Sequence, residues 1–149
     1  MTRLTPLAVA VAVAVLAVAG CGHNPTAAEF VPAEEPARSA LDASLRAWVH
    51  GDLSSPVPDT HPPVEVADGL RTNGRRLTHY EILGPVPANA PRCFAVRLTL
   101  ANPDQEVRER YVVLGLDPVW VWRYDDYVML THWDHTMPSD KAKTTPPKR

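Results

Sequence analysis

Residues 92–100 read RCFAVRLTL, and this stretch decides the fold. Phe94, Val96, Leu98 and Leu100 alternate with Cys93, Ala95, Arg97 and Thr99. Successive side chains of a strand point to opposite faces, so a period of two predicts a half-buried β-strand. The chain turns at ANPDQ (101–105) and returns as a strand over 106–116. Asp117-Pro118 turns it again, and VWVWRY (119–124) is the next strand. Residues 92–124 therefore predict an antiparallel meander. Upstream, Leu77 to Leu83 reads as a strand ended by Gly84 and Pro85, and Val64-Glu65-Val66 alternates like a short one. The intervening ADGLRTNGRR (67–76) reads as a turn-rich connection, with Asn73-Gly74 as its turn signal. Asp125 to Leu130 is a short helix or a last strand segment.

Residues 36–50, PARSALDASLRAWVH, carry a different period. Ala37, Leu41, Leu45 and Trp48 recur at helical spacing and form one apolar face. Pro36 suits the first helical turn, Glu34 and Glu35 suit the positive end of the helix dipole, and Gly51 is a stop signal. Arg38, Asp42 and Arg46 step by four along another face and can pair. One helix followed by strands is an α+β pattern. The expected architecture is one N-terminal helix packed on a curved antiparallel sheet of about four strands, a single domain over residues 36–133. The proline-rich 52–63 is a loop, and residues 134–149, which lack apolar periodicity, are expected to be a disordered tail.

The chain begins MTRLTPLAVAVAVAVLAVAGC. Arg3 gives positive charge, and the apolar run from Leu7 to Ala19 is about 13 residues, short of the roughly 20 that span a bilayer. Small residues follow, which is the layout of a signal peptide over residues 1–20. Residues 21–35, polar with two prolines after Cys21, read as a flexible tether.

The 149-residue chain has a net charge of -2, and removing the leader with Arg3 leaves -3. No basic stripe points to nucleic acid. Cys21 and Cys93 are the two cysteines, few for an exported address that would permit disulfides. No Gly-rich phosphate loop, nucleophile elbow, HExxH or paired CxxC is present, and no cofactor is implied.

Val18-Ala19-Gly20-Cys21 resembles the bacterial lipobox. The resemblance implies a lipoprotein: a diacylglyceryl group on the Cys21 sulfur, cleavage before Cys21 and frequent acylation of the new amino group. Two or three acyl chains anchor stably where one does not. Gly22 stands where an Asp commonly marks inner-membrane retention in two-membrane envelopes. Over residues 36–130, the order of elements resembles the cystatin-like folds, which include nuclear transport factor two-like proteins. The phrases LDASLRAWVHGD, YEILG and YVVLGLDPVWVWRYDDY resemble small bacterial envelope proteins without established activity.

Several residue groups are candidates for a site. Trp120, Trp122 and Tyr124 share one strand phase, and such a ladder binds sugars or peptide side chains. A plainer expectation makes it the packing surface for the helix, with Val119 and Val121 outward. His79 and Glu81, two apart on a strand, share a face and, with Asp126, form a base-and-acid set if a pocket lies between helix and sheet. The plainer expectation is a solvent-facing strand. Asp125 and Asp126 read as a helix cap. His132 and His135, with Asp134 between them, are weak candidates for Zn²⁺ or Cu²⁺, needing a third ligand such as His61, His79 or Asp126. Cys93 on an alternating strand reads as a buried structural thiol.

These observations lead to an expectation: an envelope lipoprotein, anchored outside the cytoplasm through lipid on Cys21. Its domain is non-catalytic and binds or scaffolds an envelope protein or glycan. The alternative is a small-molecule binder or enzyme with a pocket between helix and sheet.

Overall fold

The computed structural model describes residues 26–132. The leader, Cys21, His135 and the tail lie outside the described residues. After a 3-10 turn at Ala27–Phe30, the elements are α1 (Glu34–Val49), β1 (Val64–Ala67), α2 (Gly69–Thr72), β2 (Arg76–Pro85), β3 (Cys93–Ala101), β4 (Gln105–Leu114), β5 (Val119–Arg123) and α3 (Tyr124–Thr131).

The strand decided by RCFAVRLTL is an interior strand of the sheet. β3 pairs antiparallel with β2 and β4, and β4 with β5. The sheet order is β1-β5-β4-β3-β2. The expected sheet of about four antiparallel strands is therefore a mixed sheet of five, because β1 pairs parallel with β5. Alternation in Val64-Glu65-Val66 marks a strand but carries no information about its partner. The chain leaves β1 through α2 to the far edge, and the meander then returns it to β1's side running in the same direction. The expected connection over 67–76 contains α2, whose N-terminus Asp68 caps.

α1 starts two residues before Pro36. Pro36 still sits in the first turn, where its missing N–H has no intrahelical partner to lose. The helix ends as expected at Gly51, whose φ of +82° suits the left-handed cap. Gly51 N–H donates to the Trp48 carbonyl and Asp52 N–H to the Ala47 carbonyl, each at 2.9 Å. Ala37, Leu41, Leu45 and Trp48 are buried, as their spacing predicts, and Arg46 pairs with Asp42. They pack against Leu77, Phe94, Val96, Leu98, Tyr111, Val113 and Val121 from the sheet. The Trp48 indole N–H donates to the Arg75 carbonyl at 2.9 Å.

The N-terminal segment read as tether is held to the domain from residue 30 onward. Gly115 N–H donates to the Phe30 carbonyl at 2.7 Å, and Arg92 Nε to the Pro32 carbonyl at 3.3 Å. The polar composition of 22–35 could not reveal this, because the bonds use backbone carbonyls. At Gly115, φ is +84° and an added Cβ would stand 2.6 Å from the Pro118 carbonyl oxygen, so glycine is required there.

Candidate functional site

The C-terminal ends of β1 and β5 carry a buried polar cluster that the sequence reading missed. Asp68 follows β1 and is 4% exposed. Its Oδ1 accepts the N–H groups of Leu70 (2.8 Å) and Arg71 (3.3 Å). Its Oδ2 accepts the Tyr111 hydroxyl at 2.5 Å. Arg123, at the end of β5, stands 3.9 Å from Asp68 and 3.8 Å from Glu109. It also forks onto Asp126, with Nε at 2.9 Å and Nη2 at 3.2 Å. Gly69 N–H donates to the same Asp126 carboxylate at 2.8 Å. The neighbouring Arg71 donates to the carbonyls of Ser44, Asp52 and Ser54, joining α2 to α1 and the loop after it.

Burial sets the electrostatics here. It raises the Asp68 and Glu109 carboxyls above their ordinary values, against the attraction of Arg123. Burial and the Asp68 charge push the Tyr111 hydroxyl well up. Burial alone would raise Asp126, but the hydrogen bonds from Arg123 and Gly69 leave it below its ordinary value. Tyr111 is 1% exposed, so its hydroxyl and Asp68 are sealed from a substrate. The cluster is a clamp joining β1, α2, β4, β5 and α3. Two signals in the sequence point to it. Asp68 precedes GLRT as a helix N-cap would, and Glu109 interrupts the phase of Val107, Tyr111 and Val113.

The expected pocket set is not assembled. His79 and Glu81 pair in register with Thr99 and Arg97, on the face of the sheet turned away from α1. Both are exposed, and Glu81 accepts from Arg97 at 2.7 Å. Tyr80, between them, takes the helix side and donates to Asp42 at 2.7 Å. Asp126 belongs to the clamp. It lies in the first turn of α3, where a carboxylate suits the dipole, yet it caps α2's first N–H rather than its own helix. The interface beneath α1 is filled by side chains of almost no exposure, among them Leu41, Leu45, Phe94 and Leu98. Clefts of about 290 and 410 Å³ flank α1 instead, beside Asp42 and Tyr80 on one side and Ala40 and His61 on the other.

The tryptophans stand where the plainer expectation does not put them. Val119 and Val121 are buried in the core under α1, so Trp120 and Trp122 project from the opposite face. Their rings stack with centroids 5.5 Å apart and planes inclined by 28°. Both are half-buried. Trp120 is in register with Glu65 and Leu114, and Trp122 with Ala67 and Val112. Tyr124 has left the strand and opens α3, with the Arg110 guanidinium 3.7 Å from its ring centroid. This face thus joins an apolar half around the two indoles to a charged half that includes Arg97, Glu81 and Glu106.

Cys93 is buried, and burial raises its thiol, which leaves it protonated and unreactive at neutral pH. Among the described residues, no three His, Cys, Asp or Glu side chains gather to hold a metal. His132 follows α3 as its C-cap. No helix of the described residues is long and apolar enough to cross a membrane. Comparison with known proteins returned no matching family model, no matching curated protein and no matching solved structure.

Proposed function

We propose that this chain is an envelope lipoprotein, anchored outside the cytoplasm by lipid on Cys21, whose domain binds another envelope component without catalysis. The observation that carries the binding reading is the Trp120–Trp122 pair on the sheet face turned away from α1. The core under α1 closes with valines, so packing of the helix does not require two indoles on this strand. Aromatic side chains offer large contact area at low entropic cost, and stacked indoles suit the apolar faces of sugars or of peptide side chains. The partner class is an envelope protein or glycan. The leader and the Val18-Ala19-Gly20-Cys21 motif support the anchor. A long helix followed by an antiparallel meander supports reading the domain as cystatin-like.

Two variants test this reading. Cys21→Ala is expected to move the protein from the membrane to the soluble fraction, and a variant that stays membrane-bound would contradict the anchor. A photo-crosslinking residue at position 120 is expected to capture a discrete envelope component in cells. The same residue at the exposed Arg38 of α1 is expected to capture none. Equal capture from both sites would contradict the outer face as the binding surface.

A further inference from the structure

The docked N-terminal segment gives the domain an orientation. Phe30 is fixed by its carbonyl to Gly115, so its neighbour in space is the turn between β4 and β5. Phe30 and Leu116 are each 51% exposed, two large apolar side chains brought to one end of the sheet. The same end holds the turn between β2 and β3, whose Arg92 bonds Pro32 and stands 4.0 Å from Glu34. The start of β2 and the turn between β3 and β4 occupy the opposite end.

We infer that the end carrying Phe30 and Leu116 is the membrane-facing surface of the domain, and that these two side chains enter the lipid interface. The inference rests on the reading of Cys21 as the lipid anchor. Only residues 22–25 separate Cys21 from Thr26, and five residue steps reach at most about 18 Å. A ten-residue strand such as β4 is about 33 Å long. The leash is therefore shorter than the sheet, and the end holding residue 30 is the one nearest the bilayer. Exposed apolar side chains gain free energy by leaving water, which favours inserting Phe30 and Leu116 once they are held there. With the strands rising from the membrane, the Trp120–Trp122 face looks sideways along the surface, accessible to a partner anchored in or lying on the same membrane.

The test uses the full lipidated protein in vesicles of phosphatidylethanolamine and phosphatidylglycerol containing headgroup-region quencher lipids. An environment-sensitive fluorophore is attached through Asp117→Cys at one end or Asp104→Cys at the other, with Cys93 buried. Quenching at position 117 is expected to exceed that at 104 by at least about threefold, as interfacial depth requires. Adding Phe30→Ser and Leu116→Ser is expected to remove most of that excess while the protein still floats with the vesicles. Equal quenching at both labels on vesicle-bound protein would overturn the orientation and leave the anchor standing. Excess quenching at 117 unchanged by the two serines would overturn the insertion. Failure to float, with no acyl mass on Cys21, would overturn the anchor reading and the orientation with it.

Discussion

Trp122 and Arg123 are consecutive residues of β5 and belong to two different regions of the molecule. Arg123 turns inward, toward Asp68, Glu109 and Asp126, and is locked by charge-assisted bonds. Trp122 turns outward and stacks on Trp120. The inward cluster is partly buried, with Asp68 and Tyr111 sealed at its heart, and ties several elements together, whereas the outward pair is not needed to close the core. A strand's alternation thus separates stability from recognition by a single residue step. Changes on the inward side should unfold the protein, and changes on the outward side should leave it folded and unable to bind.

The largest expected effect is that of Arg123→Ala, which leaves Asp68, Glu109 and Asp126 without their shared cation. Breaking a buried ion pair from one side costs about 3–5 kcal/mol. Urea unfolding measures it, and a loss below about 1 kcal/mol, the range of a surface pair, would break the contrast. Next comes Tyr111→Phe. It removes the donor to Asp68 Oδ2 in a buried site and is expected to cost about 1–3 kcal/mol.

The pH dependence sharpens the same comparison. Asp68 and Glu109 are held above their ordinary values of 3.8 and 4.5, so the folded chain keeps those protons longer than the unfolded chain. Stability therefore falls as pH rises from those ordinary values through the raised ones. Asp126 is held below 3.8, so its contribution is present above that value and is lost as pH falls through the lowered one. The sum is a maximum in the mildly acidic range, measured as thermal midpoint from about pH 3 to about pH 8. Asp68→Asn is expected to flatten the decline on the neutral side. A midpoint that climbs steadily to neutrality in the wild-type protein would contradict the assignment. The smallest expected effect on stability belongs to the Trp120→Ala and Trp122→Ala variants, about 1 kcal/mol each from the lost ring contact and partial burial.

Much of this fold was legible in the chain because apolar periodicity reports burial directly. RCFAVRLTL gave β3 its inward face, and Ala37, Leu41, Leu45 and Trp48 gave α1 its own. The parallel pairing of β1 with β5 was not legible, since a short alternating strand has the same pattern beside any partner. The face taken by VWVWRY was ambiguous for a related reason. Both Val and Trp are apolar, so hydrophobicity alone does not say which set meets the helix, and bulk favoured the wrong one. His79 and Glu81 share a face as their spacing requires, but the phase of β2 sends that face outward, because Tyr80 and Ile82 fill the helix side. Asp68 and Glu109 each left a local signal, but the clamp as a whole was hidden because its members come from four elements and the residue between β1 and α2. Docking of the N-terminal segment was hidden because backbone carbonyls carry it.

The most direct test compares the Trp120→Ala/Trp122→Ala double variant with wild type in one experiment. Lipidated protein is assayed in the cells that make it for crosslinking from a fixed reporter at half-buried Glu65, which is in register with Trp120. The same preparations are melted. The account predicts that the adduct disappears while the thermal midpoint moves by only a few degrees, about that expected for 1–2 kcal/mol. An undiminished adduct, or a collapse in stability as large as that of Arg123→Ala, would contradict the separation of recognition from stability across β5.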